Sequence, residues 1–317
     1  MPIPSSSGCP CSTAGGSTGA RRQATRVEPT ESGSDPGSEP GSDPEGDQMQ
    51  STTTIAAVAA GALLQSQVAL VTASTSGIGA ETASQLAQAG ARAVVINGRN
   101  PQTGRDVEER LRAQHPGTAF RFIAANLDEL EQVRRLVAEA MAAFGRIDIL
   151  VHCGGAQIKP DLFIHSDPAT FQPMLDGHFM SLLYCCHCVV PIMKAQGSGA
   201  IVAVASDAGK IATPGETLIG AAKAAAIMFV RTLALEVSRF GVRANVITPS
   251  IVRDTQSYRR VMSGELSRKV FEKAESRARL GVPTPGDIAP LAVFLASPLA
   301  SKITGQAVSV NGGISAA

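Results

Sequence analysis

The residues in this chain best placed to do chemistry form a glycine-bearing turn, Thr72-Ala73-Ser74-Thr75-Ser76-Gly77-Ile78-Gly79. It is entered from the β-branched run VALVT at 68–72 and left through a helical pattern with Ile78, Ala83, Leu86 and Ala87 on one face and Gly90 at its end. Glycine lets a phosphate approach the start of the helix. There, free backbone N–H groups and the positive end of the helix dipole bind anionic oxygen without a cationic side chain. Strand, turn and helix in that order predict a dinucleotide site. Metal chemistry is not expected, because the cysteines at 9, 11, 153, 185, 186 and 188 form no paired C-x-x-C clusters. Cys185, Cys186 and Cys188 fall in an apolar helical stretch as small buried thiols, which implies a reducing, cytoplasmic setting.

The elements that must position the turn are legible around it. Short β-branched runs alternate with longer helical patterns: after 68–72 come AVVIN at 93–97, RFIA at 121–124, IDILVH at 147–152, AIVAVA at 200–205, RANVIT at 243–248 and AVSV at 307–310. Seven strands separated by helices predict a doubly wound α/β Rossmann fold with a parallel sheet, one domain over 64–317. Strands apolar at nearly every position are covered on both faces, so ligands gather at their carboxyl ends. Functional residues should therefore follow strands.

Composition narrows the function classes. With 44% apolar residues a sizeable core is possible, while no Trp and only two Tyr argue against an aromatic nucleic-acid platform. Residues 1–50 are rich in Ser, Gly, Pro and Thr, and 33–44 reads GSDP-GSEP-GSDP, which predicts a disordered low-complexity tail, or translation from Met49. The acid-free stretch 1–27, with Arg21, Arg22 and Arg26, loosely resembles a transit peptide but lacks an amphipathic pattern. IAAVAAGALL at 55–64 is too short to cross a bilayer. No membrane partner is expected.

With these motifs in order, the chain resembles the short-chain dehydrogenase/reductase family over essentially all of 64–317. The turn at 72–79 resembles the family's T-G-x-x-x-G-x-G. LVHCGG at 150–155 stands where the family has LVNNAG, ITPS at 247–250 is similar to I-x-P-G, VNGG closes the chain at 310–313, and Ser206 precedes Lys223 at family spacing. The resemblance implies cofactor contacts from Thr72, Ser74, Ser76, Gly77, Ile78, Gly79, Asn126, Gly154, Lys223 and Pro249. Ala73 replaces the first glycine, a tolerable change if it keeps a negative φ. At Gly98, NAD-preferring relatives carry an acid for the ribose 2′-hydroxyl. Arg99 instead offers a 2′-phosphate partner, so NADP(H) is expected over NAD(H).

The departure lies in the proton-transfer site. The family moves a hydride between nicotinamide and a carbinol carbon while a Tyr, its pKa lowered by a Lys four residues on, moves the proton. Ile219 stands at that place, thirteen residues after Ser206 and four before Lys223, and isoleucine cannot move a proton. His178 replaces the family's helix Asn and His152 the first Asn of NNAG. An ordinary imidazole pKa of ~6.5 would let His178 act as acid or base. In the family Ser206 hydrogen-bonds the substrate oxygen and Lys223 the nicotinamide ribose.

Two functions follow. The first is an NADP(H)-dependent oxidoreductase of a small ketone or secondary alcohol with an altered proton route. The second is a non-catalytic cofactor binder serving as partner subunit or sensor. The polar segment from Ser250 to Leu280, with Arg253, Arg259 and Arg260, is expected to be a mobile cover that sets substrate choice. The family and the apolar helical stretches 176–195 and 215–239 imply a homo-oligomer, a tetramer.

Overall fold

The computed structural model describes residues 63–317. The expected tail over 1–50, with Cys9 and Cys11, lies outside the described residues, as does most of the 55–64 run. The seven expected strands all form: β1 (Val68–Val71), β2 (Ala93–Gly98), β3 (Ala119–Ala124), β4 (Ile149–His152), β5 (Gly199–Val204), β6 (Val242–Pro249) and β7 (Ala307–Val310). They make one parallel sheet in the order β3-β2-β1-β4-β5-β6-β7. The sequence order reverses direction between β1 and β4. That switch point opens a crevice beyond the strand ends.

The helices divide between the two faces because the strand interiors are apolar on both. On one face, α1 (Gly77–Gln88), α2 (Pro101–Gln114) and α9 (Pro285–Ala296) bring Leu86, Leu111 and Leu295 onto Val71, Ile96 and Ile149. On the other, α3 (Leu130–Phe144), α5 (Ser181–Gln196) and α6 (Thr217–Ser238) bring Leu136, Met193 and Val230 onto Leu70, Leu150 and Ile201. The runs Pro168–Gln196 and Thr217–Ser238 are long and apolar enough to cross a membrane by composition alone. Both, however, pack into this second cluster through Leu182, Val189, Ile227 and Ala234. Outward on α6, Met228 and Leu235 are 58% and 77% exposed.

Two local features differ from the sequence expectation. Between α4 (Phe171–Leu175) and α5 the helix widens into a π turn, Asp176–Met180, a distortion that hydrophobic periodicity does not register. The segment expected to be a mobile loop is instead two short helices, α7 (Gln256–Met262) and α8 (Glu265–Glu275). Thr255 caps α7 by accepting the Tyr258 N–H at 3.0 Å, and buried Phe271 anchors α8. One aromatic anchor and one cap hold a segment otherwise too polar to look ordered.

Candidate active site

The phosphate turn is fixed from behind before any ligand is considered. Thr72 is fully buried at the end of β1; its N–H donates to Val151 O at 2.9 Å and its hydroxyl accepts the Cys153 N–H at 3.1 Å. Ser74, also buried, donates to Val71 O at 2.7 Å and accepts the Asn97 N–H at 2.9 Å. Both were expected among the cofactor contacts. The structure uses them instead to tie β1 to β4 and β2, and neither lines the cleft. Ala73 departs from expectation as well: its φ is +47°, not negative. An L-residue pays about 1–2 kcal/mol for that conformation. What holds it there is Asn97, whose Oδ1 accepts the Ala73 N–H while its Nδ2 donates to Ile123 O and Ala125 O, each at 3.2 Å.

On the open side, Ser76, Gly77, Ile78 and Gly79 line the cleft. Ser76 is the N-cap of α1 yet makes no side-chain cap bond, which leaves the first-turn N–H groups available to an anion. Gly77 has φ +54°, and a Cβ on Gly79 would lie 2.6 Å from Ala73 O. The cradle therefore needs both glycines and has the shape of a phosphate site. A Cβ on Gly98 would sit 2.6 Å from Thr75 Cγ2, so an acid there would have to displace Thr75. Arg99 is exposed at the rim and forms no ion pair with any described residue. Asn126 lines the same end, its Nδ2 donating to Glu129 Oε1 at 3.0 Å.

The other end of this cleft of about 490 Å³ brings together Ser206, Ile219, Lys223 and His178, with Gly154 and Pro249 along the walls. Lys223 is buried on α6, where its Nζ donates to Val204 O at 3.3 Å and desolvation lowers its pKa to about 8. Ser206 accepts the Ala208 N–H at 3.2 Å and donates to no described residue, so its proton is free for a substrate oxygen. Ile219 is 9% exposed. It lines the cleft with hydrocarbon, one helical turn before Lys223.

The two histidines differ sharply. His152 sits in a closed network: Nδ1 lies 3.1 Å from Thr72 Oγ1 and Nε2 lies 3.3 Å from Ser181 Oγ, which itself donates to Gly177 O at 3.0 Å. With Ser181 committed as donor, His152 carries its proton on Nε2 and accepts from Thr72, an assignment made from the network. Burial and the Lys223 charge hold it neutral, with a pKa of about 3. His178, on the π turn, has both ring nitrogens buried and without a partner among the described residues. Burial first, then the charges of Lys223 and Arg260, lower its pKa to about 2. The expectation of an imidazole titrating near neutrality is therefore not met. His178 can offer an N–H but not an imidazolium proton.

Two residues important to the site, Asn97 and Glu216, were missed from sequence, and a third, Arg260, was given no individual role there. Asn97 is visible only as the polar member of AVVIN. Glu216 lines the cleft one turn before Ile219, and burial raises its carboxyl to about 7. Arg260, named from sequence only as one of three arginines in the polar cover, lines the cleft from α7. Tyr258 also lines it, but its hydroxyl donates to Glu275 Oε1 at 3.2 Å.

Known proteins share this architecture. Residues 72–315 match the family described as enoyl-(acyl carrier protein) reductase. Over 254 residues the chain is 33% identical to the short-chain reductase protein NovJ of Streptomyces niveus, covering 80% of this chain and 95% of NovJ. Over 247 residues it is 32% identical to the 3-oxoacyl-(acyl-carrier-protein) reductase FabG of Staphylococcus epidermidis, covering 78% and 98%. The crystal structure of levodione reductase superposes with a TM-score of 0.74 at 25% identity, over 79% of this chain and 98% of that one. With a seven-stranded parallel sheet, a glycine cradle at its switch point and matches spanning nearly the whole of these relatives, the chain belongs to the short-chain dehydrogenase/reductase family of NAD(P)-dependent oxidoreductases.

Proposed function

We propose that this protein uses NADP(H) to reduce a small ketone, or to oxidise the matching secondary alcohol, through a proton-transfer site that lacks the family's Tyr. The observation that carries this reading is the single cleft joining the glycine cradle and Arg99 at one end to Ser206 and Lys223 at the other. The cradle fits a dinucleotide: a Cβ at Gly79 would fill it, and the open N–H groups of α1 await anionic oxygen. When bound, the nicotinamide supplies the hydride. Ser76, Gly77, Ile78 and Gly79 would hold its pyrophosphate, Arg99 its 2′-phosphate and Lys223 its ribose. The Thr75 side chain packed where a Gly98 carboxylate would go supports NADP(H) over NAD(H).

Ser206 would hydrogen-bond the carbonyl oxygen, the Lys223 charge in the same cleft would favour the developing alkoxide, and water entering the open cleft would supply the proton that completes the alcohol. Ile219 has no proton to give, and neutral His178 is a poor acid. Relative to a Tyr-bearing site the turnover is slower by ~10²–10⁴. Similarity to NovJ, FabG and levodione reductase, named as reductases, supports carbonyl reduction. A second reading, a cofactor-binding subunit without turnover, would follow from Ile219 standing where the family has its Tyr. Outward Met228 and Leu235 on α6 support a homotetramer. The unpaired thiols of Cys153, Cys185, Cys186 and Cys188 support a cytoplasmic location.

The test is a fluorescence titration with NADPH and NADH beside an NADPH-oxidation screen over carbonyl compounds. NADPH should bind more tightly, and Arg99→Ala should lose roughly 1.5–3 kcal/mol of NADPH affinity only. Equal affinities, or an Arg99→Ala ratio unchanged from the native one, overturn the NADP(H) assignment. Tight NADPH binding with no oxidation of any carbonyl favours the second reading.

A further inference from the structure

The substrate end of the cleft holds an unusual concentration of unsatisfied polar groups. His178 has two shielded ring nitrogens with no partner among the described residues. Its ring is held in place against Gly155, where an added Cβ would stand 3.2 Å from Cε1. Arg260 enters the same cleft from α7, half-buried, and donates no side-chain hydrogen bond to any described residue. No described acid forms an ion pair with it. Glu275 accepts from Arg253 Nε at 3.3 Å and from the Tyr258 hydroxyl at 3.2 Å. Glu265 pairs with Lys269 at 2.9 Å, and Glu272 with Arg268 at 3.8 Å.

Glu216 is the one carboxyl lining the substrate end, and burial keeps it largely protonated up to about neutral pH. A guanidinium partly withdrawn from water, without a counter-ion, beside a buried N–H donor is an arrangement that costs stability until an anion arrives. Arg260 and His178 line the same cleft, where one small anionic group can meet both. The rest of the nearby wall, Ile219, Val261 and Phe271, is apolar and suits a hydrocarbon spacer.

We propose that Arg260 and the N–H of His178 form a carboxylate subsite, so that the carbonyl compound taken by this cleft is an oxo acid whose anionic end lies under α7. This rests on the reductase reading of the same site and names its substrate class. The carbonyl end lies at Ser206. The carboxylate accepts from the guanidinium and the imidazole N–H, and no proton changes hands in binding.

The test uses full-length protein saturated with NADP⁺, which cannot reduce a ketone, so that binding is read apart from turnover. Straight-chain oxo acids with one to five methylenes between carbonyl and carboxylate are titrated by calorimetry, each beside its methyl ester. At least one acid should bind about 10–100-fold more tightly than its ester, the range set by one charged hydrogen bond. The preference should fall to within about twofold in Arg260→Gln, return in part in Arg260→Lys, and persist in Arg259→Gln, whose side chain is exposed outside the cleft. An unchanged melting temperature and NADPH affinity in each variant show that the fold is intact. Acids and esters that bind alike across the ladder, or a preference that survives Arg260→Gln, overturn the subsite. The same pairs with NADPH separate the two claims: acid preference without oxidation keeps the subsite and removes the reductase reading, while equal reduction of acids and esters does the reverse.

Discussion

The cofactor end and the substrate end of this cleft are built on different principles. Around the phosphate turn almost every buried polar atom is committed: Thr72, Ser74 and Asn97 bind one another's strands, and Ala73 is held at φ +47° by that network. At the substrate end the groups are open instead. Among the described residues His178 has no partner, Ser206 donates to none and Arg260 has no counter-ion, while Ile219 adds a hydrocarbon surface. A binding site for a constant ligand can be rigid and satisfied in advance. A site for the variable ligand keeps its polar atoms for the substrate, at a cost in stability.

The largest effect that would sharpen this contrast is chemical. Ile219→Tyr places a phenol between Ser206 and Lys223, whose charge lowers the phenol pKa toward working pH. NADPH-dependent reduction of an accepted carbonyl should rise by ~10²–10⁴ in steady-state assays. No gain in a variant that still folds and binds NADPH would mean that proton transfer does not limit this site. Overpacking of ~1–3 kcal/mol is expected alongside, so melting is measured with activity.

Next in size, the cofactor end should break through a residue that never touches the ligand. Asn97→Ala takes this partner from the Ala73 N–H and from the carbonyls of Ile123 and Ala125, and should cost ~2–4 kcal/mol in denaturant unfolding as well as NADPH affinity. Loss of stability with full cofactor affinity would show that the turn shapes itself without Asn97.

A third comparison is read through pH. Burial raises the folded-state pKa of Glu216 from 4.5 to about 7, so between these values the folded protein binds more protons than the unfolded chain. Its contribution is present below about pH 4.5 and is lost as pH rises through about 7. Glu216→Gln should therefore stabilise the protein at pH 8 relative to pH 4.5, by on the order of 3 kcal/mol at most. His152 and His178 work in the opposite sense, their depressed pKa values lowering stability as pH falls below the ordinary imidazole value. A difference between Glu216→Gln and native protein that does not vary with pH would show that Glu216 is solvated.

The smallest change should relieve rather than damage. Ala73→Gly removes the left-handed strain and should raise stability by about 1 kcal/mol, less the added backbone freedom of the unfolded chain. Thermal unfolding decides it, and a lower melting temperature would argue that Ala73 is relaxed.

The sequence alone determined the alternation of strand and helix, the seven parallel strands and the glycine cradle after β1. Each is written in local patterns: β-branched runs, 3.6-residue periodicity, and glycine where a Cβ would meet Ala73 O. That an isoleucine, Ile219, stands four residues before Lys223 is equally local. Tertiary structure decided what depends on neighbours distant in the chain. Thr72 and Ser74 turn inward because β4 and β2 supply their partners, 81 residues away for Cys153 and 23 for Asn97. His178 stays neutral because burial and the charges of Lys223 and Arg260 converge on it from α6 and α7. A pKa, an unpaired guanidinium and an orphaned imidazole are properties of an enclosure, and residues far apart in sequence build it only when the sheet has brought their loops together.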